Sequence, residues 1–305
     1  MISYVTRRLL WIIPVLFAVS VITFGLMHAV PGGPWAREKA LPQNVEDRLN
    51  AKYGLDQPIV VQYLNWAGGF ITGDLGPSYR YQDRTVNEIV ADGFWVTFQL
   101  GIMAFVLSVV VGIPLGILAA LGHNRWPDYL TTSVSILGVA TPSFIIAILL
   151  IVVFSVQLGW FPTGGWKGPE YWVLPTIALA GFPIAVIARY TRASMLEVTR
   201  KDYVRTAHSK GIKDQAVVSR HMIRNALIPV VTILGPTLAF LVTGSFIIER
   251  VFNIPGMGQF YLNAISTRDY SLLMAMTMLY AFAVAFLNVV VDILYAYIDP
   301  RIRYS

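Results

Sequence analysis

The chain has 305 residues, 56% of them hydrophobic and 13% charged, with a mean hydropathy of +0.61 and a formal net charge of +6. A soluble domain carries roughly 25% charged residues, so this composition places the chain in a bilayer. The basic residues gather at the ends of apolar runs, which marks membrane orientation and argues against nucleic acid as a partner; the absence of cysteine excludes a disulfide framework, thiolate chemistry and a cysteine zinc site, and leaves the redox compartment open.

Arg7 and Arg8 precede an apolar run over residues 9–30, long enough at ~1.5 Å per residue to cross a ~30 Å hydrocarbon core. The run has the character of a signal peptide but lacks a clear small-x-small cleavage site, so it reads as a retained first span with its N-terminus in the cytoplasm. Residues 31–93 form the longest polar interval. It opens on Pro31-Gly32-Gly33-Pro34, has helix-like pieces at 45–53 and 57–70, and reaches a turn-rich Gly73-Asp74-Leu75-Gly76. Its six basic residues are outnumbered by eight acidic ones, as expected outside the cell.

Five further spans are expected at about 94–121, 129–158, 172–190, 227–248 and 272–298. The fold class is thus an all-α membrane protein of about six transmembrane helices with both termini cytoplasmic. Residues 189–224 carry nine basic and three acidic residues, and the tail holds Arg301 and Arg303, all on the side assigned inside. The expected organisation is 1–30 for the N-terminal tail and first span, 31–93 for the extracytoplasmic loop region, and 94–305 for a five-helix core that includes the cytoplasmic loop 199–229. Prolines recur within the spans, and Gly112 and Gly116 form a small-xxx-small pair. Close helix packing accounts for both, with bent helices around a pathway as the functional reading.

The loop at 199–229 is a basic, polar island between apolar runs. Asp202 is expected to cap a short helix over 203–209, Lys210 to sit where a cation suits the helix dipole, and Gly211 to supply a left-handed stop. Asp214 is expected to cap a second segment, 215–224, apolar at Val217, Val218, Met222 and Ile223 and polar at Arg220, His221 and Arg224. Such order between two spans suits contact with another protein.

Catalytic or metal chemistry finds little support. His28, His123, His208 and His221 lie on different segments without a ligand spacing, so no metal is expected. Ser133, Ser135, Thr141 and Ser143 surround Pro142, where back-bonding to their own helix competes with lining a pore. Asp292 lies within an apolar run near the inner end of the last span; Arg189 or Arg192 is the expected structural partner, and a pathway role the alternative. There is no Gly-x-x-x-x-Gly-Lys-Ser/Thr and no Gly-Lys dipeptide. Energy for transport must therefore come from a partner or an ion gradient. An ion-coupled carrier would show midplane acids or repeated halves. It stays as the alternative from another class, with a membrane-embedded enzyme more remote.

The island from Asp202 to Pro229 resembles the EAA motif of ABC importer permeases, roughly E-A-A-x-x-x-G followed by I-x-L-P. Arg205-Thr206-Ala207 stands at E-A-A and Gly211 at the glycine; Arg205 replaces the glutamate, Thr206 the first alanine, and the I-x-L-P positions hold His221, Ile223 and Arg224, with a proline only at Pro229. This variant, together with the Arg-Arg start, Pro31-Gly32-Gly33-Pro34, Tyr53-Gly54-Leu55-Asp56-Gln57-Pro58, Gly73-Asp74-Leu75-Gly76, Thr141-Pro142-Ser143-Phe144, Glu249-Arg250-Val251-Phe252, Pro255-Gly256-Met257-Gly258 and Asp299-Pro300-Arg301-Ile302-Arg303, is similar to the B-type permease subunit of dipeptide, oligopeptide and nickel importers.

That resemblance implies the type I permease fold and a non-catalytic subunit of a bacterial inner-membrane importer. It pairs with a second homologous permease subunit, above two ABC ATPase subunits that bind ATP and Mg and below an extracytoplasmic substrate-binding protein. The chain itself takes no cofactor and sits in membrane lipid. Peptide is the implied substrate, with nickel or an oligosaccharide as alternatives. Asp202, Tyr203, Val204, Arg205, Thr206, Ala207, Lys210 and Gly211 would form the ATPase-coupling helix and its stop. Asp74, Glu249, Arg268 and Asp269 are the candidates to face the binding protein.

Overall fold

A computed structural model describes residues 2–35, 42–81 and 83–298. The side chain of Asp292, and Arg301 and Arg303 of the tail, lie outside the described residues. Among the described residues thirteen α-helices run in order: α1 (Ile2–Ala29), α2 (Gln43–Tyr53), α3 (Ile59–Thr72), α4 (Val86–Leu121), α5 (Trp126–Ala140), α6 (Ser143–Leu150), α7 (Pro169–Thr199), α8 (Asp202–Ser209), α9 (Asp214–Ala216), α10 (Ile223–Val242), α11 (Phe246–Val251), α12 (Met257–Thr267) and α13 (Tyr270–Ile298). Two π-helical stretches, Ile151–Gln157 and Val217–Met222, continue α6 and join α9 to α10. Among the described residues, five helical stretches are long and apolar enough to cross a membrane, and the bent pair α5 and α6 makes a sixth if it counts as one span.

That pair corrects the single straight span expected at 129–158. Pro142 has no N–H to donate and disfavours helix in the residue before it, so Thr141 turns extended (φ −93°, ψ 122°) and the two helices bend by 106°. The other spans begin or end beyond their expected limits because their polar ends stay helical: α4 starts at Val86 and α7 runs on to Thr199.

The chain forms two compact units. The first comprises Met1–Val96 and Pro255–Phe286. Its core joins Val86 and Ile89 of α4 to Met257 and Ala264 of α12 and to Leu272, Ala275 and Met276 of α13. Beside it, Phe24 and Met27 of α1 pack with Tyr270 and Met274, and the Tyr270 hydroxyl donates to the Met27 carbonyl at 3.1 Å. Rings of Trp35, Tyr53, Tyr79 and Tyr270 gather in the same unit at centroid distances of 4.6–6.3 Å. Burial pushes the Tyr79 hydroxyl up to about 12, so it stays protonated in any physiological medium.

The second unit comprises Thr97–Ile254 and Leu287–Ser305, with α7 at its centre packed against α5, α6 and α10. Helix α7 buries Leu174, Ala178, Leu179, Ala180, Ala185, Ile187, Ala188 and Met195, and the alanines among them let neighbours approach. The approach is closest at α4. A Cβ on Gly116 would lie 2.5 Å from both the Ala188 carbonyl oxygen and Thr191 Cβ, and one on Gly112 would lie 2.9 Å from Ile187 Cβ. The small-xxx-small pair is therefore a packing device. Gly116→Val is expected to destabilise the chain by ~1–3 kcal/mol or more, the cost of overpacking against backbone that cannot yield. The measurement is the fraction of monodisperse protein surviving a thermal challenge in detergent, which should fall well below wild type.

Candidate functional site

Residues 199–229 organise around α8, an eight-residue helix between α7 and the next long helical stretch. Helix α7 ends where Arg200 and Lys201 donate to the Glu197 and Val198 carbonyls, and Lys201 then turns extended (φ −75°, ψ 146°) as the residue before α8. The capping position thus falls on Lys201, one residue earlier than expected, and Asp202 occupies the first helical position without a side-chain cap bond. Its charge still suits the positive end of the helix dipole. At the other end Gly211 has φ +71°; its N–H donates to the His208 carbonyl at 2.9 Å and that of Ile212 to the Ala207 carbonyl at 3.3 Å. This is the left-handed stop expected of it.

One face of α8 is buried. Val204 and Ala207, three residues apart, are 2% and 5% exposed and pack with Met195 and Val198 of α7, Val217 and Met222 of the π-helical stretch, Ala226 of α10 and Ala120 of α4. Burying a valine is worth about 1.5–3 kcal/mol, enough to hold so short a helix to the bundle. Its other face is open: Tyr203, Arg205, Thr206, His208 and Lys210 are exposed. Arg205 lies 3.9 Å from Asp202, and both are largely solvated, so this pair leaves the guanidinium available. His208 Nδ1 lies 3.3 Å from Asp214 Oδ1, bridging the Gly211 turn. A hydrogen bond to Glu197 at 2.8 Å raises Lys201 above the usual lysine range.

The second segment is not a separate short helix. From Asp214 onward α9, the π-helical stretch and α10 follow one another without a break, and the helical stretch counted as a membrane span runs from Asp214 to Val251. Lys213, in extended conformation, takes the capping position expected of Asp214. The apolar residues were read correctly: Val217 and Met222 are buried beneath α8, while Arg220 and Arg224 are exposed.

Beside this element stands an ion pair that the sequence did not disclose. Asp128, in the first turn of α5 with its side chain 4% exposed, accepts from Arg192 Nε and from Arg192 Nη2 at 2.8 Å; the Asn124 N–H donates to it at 3.0 Å and His123 Nδ1 lies 3.2 Å away. Arg192 is one of two residues, with Arg189, expected as a partner of Asp292, whose side chain lies outside the described residues. No spacing rule links two residues 64 apart, and the only signal was a lone acid directly after Trp126-Pro127.

The four candidates for a second docking surface are dispersed. Asp269 is fully buried: it accepts from the Ser78 hydroxyl, from the Arg80 N–H at 3.2 Å and from the Leu272 N–H at 3.2 Å, which makes it the N-cap of α13. Arg268, half-buried and left-handed at φ 55°, donates to the carbonyls of Pro31 and Gly33 at 2.7 and 3.1 Å. Glu249 is fully buried in the second unit and accepts from Thr97 Oγ1 at 3.0 Å. Only Asp74 of the four is exposed, and its carboxylate accepts from the Gly76 N–H at 3.0 Å. Burial thus makes Glu249 and Asp269 parts of the scaffold rather than surface contacts.

Long apolar helices, with one short, stopped, one-side-buried helix carried on a polar segment between them, define a multi-pass membrane protein. Residues 112–304 match the family described as the inner membrane component of binding-protein-dependent transport systems, and residues 1–101 match the N-terminal membrane component of such systems. The chain belongs to that family. It is 43% identical over 307 residues to the oligopeptide transport system permease protein OppB of Haemophilus influenzae and 42% identical over 308 residues to the glutathione transport system permease protein GsiC of Escherichia coli, each match covering 100% of both chains. It is 41% identical to the dipeptide transport system permease protein DppB of Bacillus subtilis, over 99% of this chain and 98% of the other. Among solved structures, an amino acid ABC transporter superposes at a TM-score of 0.56 with 16% identity, covering 69% of this chain and 94% of that one. The methionine ABC transporter MetNI does so at 0.55 with 19% identity, covering 69% and 96%. These two share the fold, which is that of ABC importer permeases.

The Asp128–Arg192 pair is expected to tie α5 to α7. Arg192→Ala strands a buried carboxylate and should cost about 3–5 kcal/mol, less whatever His123 and water recover. Asp128→Asn/Arg192→Gln should restore part of that loss. A denaturation series in detergent on the wild-type chain, Asp128→Asn, Arg192→Gln and the double variant checks the coupling; additive effects of the two single substitutions would show the side chains to be independent.

Proposed function

We propose that the chain is the permease subunit of an ATP-driven importer of di- or oligopeptides, in a bacterial inner membrane with both termini cytoplasmic. The observation that carries this reading is α8, held by Val204 and Ala207 and stopped by Gly211, with Tyr203, Arg205, Thr206 and Lys210 turned to solvent. A partner ATPase that grips the open face moves the helix as a body, and the buried face passes that motion to α7 and α10. A flexible loop would absorb it instead. Full-length likeness to peptide and glutathione permeases supports a peptide cargo over nickel or an oligosaccharide.

In this reading the chain performs no catalysis. It lines half of the pathway with a second homologous permease subunit; two ATPase subunits beneath bind ATP and Mg, and a substrate-binding protein docks on the opposite side, where Asp74 is the exposed candidate contact. Arg268 and Asp269 hold backbone within the same unit as Asp74, and Glu249 is tied to Thr97 within the second unit.

Two substitutions separate the roles of α8. Gly211→Val must place a β-branched residue at positive φ, at a cost on the order of 1–2 kcal/mol, so the complex should still assemble while peptide-stimulated ATP hydrolysis falls several-fold. Arg205→Ala leaves the buried face intact, and should lower stimulation without altering the thermal stability of the isolated chain. Both are measured on the complex reconstituted with its binding protein and challenged with peptides and with nickel. Unchanged transport by Gly211→Val would refute the coupling role, and stimulation by nickel alone would refute the peptide cargo.

A further inference from the structure

Helix α3 of the first unit differs from the polar interval in which it lies. None of the six basic and eight acidic residues of 31–93 falls between Gln57 and Gly73, so Ile59–Thr72 carries no charge at all. One side of the helix faces the protein, where Tyr63 and Trp66 pack with Phe24 and Met27 of α1 and with Tyr270 and Met274 of α13. The other side is bare. Val60, Leu64 and Ile71 are 68%, 60% and 83% exposed, and at ~100° per residue they form one stripe turned away from Trp66.

Contacts on the inward side fix how deep α3 lies. Helix α1 leaves one boundary of the bilayer at Arg7 and Arg8, and ~20 residues at ~1.5 Å each cross a ~30 Å core, so the far boundary falls near His28. At that level His28 Nε2 lies 3.2 Å from Gln62 Oε1. The Tyr63 hydroxyl reaches 2.8 Å from Ser20 Oγ, ~12 Å further in along α1, and its ring passes Phe24 at 5.3 Å. Helix α3 therefore lies alongside the membrane-crossing part of α1 rather than above it. Its polar side chains are answered within the protein, as hydrocarbon demands: Gln62 Nε2 donates to the Leu55 and Gln57 carbonyls at 3.1 and 2.7 Å, Asn65 Nδ2 to Gln57 Oε1 at 3.0 Å, and Thr72 Oγ1 to the Gly68 carbonyl at 3.1 Å. Among the described residues of α3 the Trp66 indole N–H alone lacks an acceptor, and it is shielded on the inward side.

We propose that α3 is seated in the leaflet in which α1 ends, with Val60, Leu64 and Ile71 among the acyl chains of the bilayer. A depth of ~5–10 Å below the boundary is usual for helices held in the plane of a membrane. Asp56 and Asp74, the first charges on either side and both exposed, stay at the aqueous edge. A protein partner on this stripe would meet no charge and no free polar group to set its register, whereas acyl chains need neither. The helix anchors the polar interval to lipid and is closed to a docking protein. This holds whatever the cargo and whatever the role of α8.

Val60→Cys, Leu64→Cys and Ile71→Cys, each in a chain otherwise without cysteine, place a nitroxide on the stripe of the full-length protein, held in lipid nanodiscs with the subunits that co-purify with it. Power-saturation electron paramagnetic resonance compares collisions with oxygen, which concentrates in hydrocarbon, with those of a water-soluble nickel chelate. Oxygen should dominate several-fold at all three positions, as at Ile22→Cys on the bare side of α1, while the chelate dominates at Asp47→Cys of α2. Dominance of the chelate at Leu64 would put the stripe in water, and weak access of both would assign it to a second polypeptide; either result overturns the proposal. The unsubstituted protein gives a second reading. Phospholipid with a diazirine in its acyl chain should leave adducts on Ile59–Thr72 after irradiation, and their absence where α1 is labelled would overturn the proposal as well.

Discussion

Val204 and Ala207 are the fastening on which the functional reading of this chain depends. An eight-residue helix in water is marginal by itself, because nucleation costs more than so few hydrogen bonds return. Here the helix exists because its apolar pair closes over Met195, Val198, Val217 and Met222, so that its folding and its attachment are one event. The exposed residues follow from the same fact. With two positions committed inward at a spacing of three, Tyr203, Arg205 and Thr206 have only solvent or a partner to face.

Acidic residues show how strongly burial governs role. Asp269 caps α13, Glu249 accepts from Thr97, and Asp128 is bracketed by Arg192, His123 and the Asn124 N–H. A carboxylate taken out of water is tolerated only when donors surround it. Glu249 and Asp269, expected from sequence to face the binding protein, thus join Asp128 in holding helix ends and helix pairs. Asp74, which stays at the surface, needs only a turn N–H.

What could be read from the sequence was whatever depends on local pattern. Apolar run length located the spans, the basic excess at 189–224 located the polar island, and Gly211 announced its own left-handed turn. The short helix at 203–209 follows from that, but not the burial of Val204 and Ala207: both are grouped with the ATPase-coupling residues by sequence, and packing on α7 turns them inward instead. What could not be read depends on partners distant in sequence or on geometry within a helix. The Asp128–Arg192 tie joins residues 64 apart, the 106° bend at Pro142 could equally have been a mild kink, and the continuity from Asp214 into the span hides behind polar residues that resemble a loop. Capping assignments slipped by one residue at both Asp202 and Asp214 because a lysine with an extended backbone can end a turn without any side-chain bond.

The π-helical stretch beneath α8 lets the rod carry an extra residue without losing its aim. A π turn holds one residue more than an α turn yet closes the same full circle, so Val217–Met222 absorbs a residue while the polar start keeps its direction relative to the membrane-embedded part. Val217 and Met222 both stay on the side that α8 covers. Inserting the same residue into a regular α-helix would swing everything before it by about 100°; the wide turn is a local irregularity that preserves the alignment of the whole.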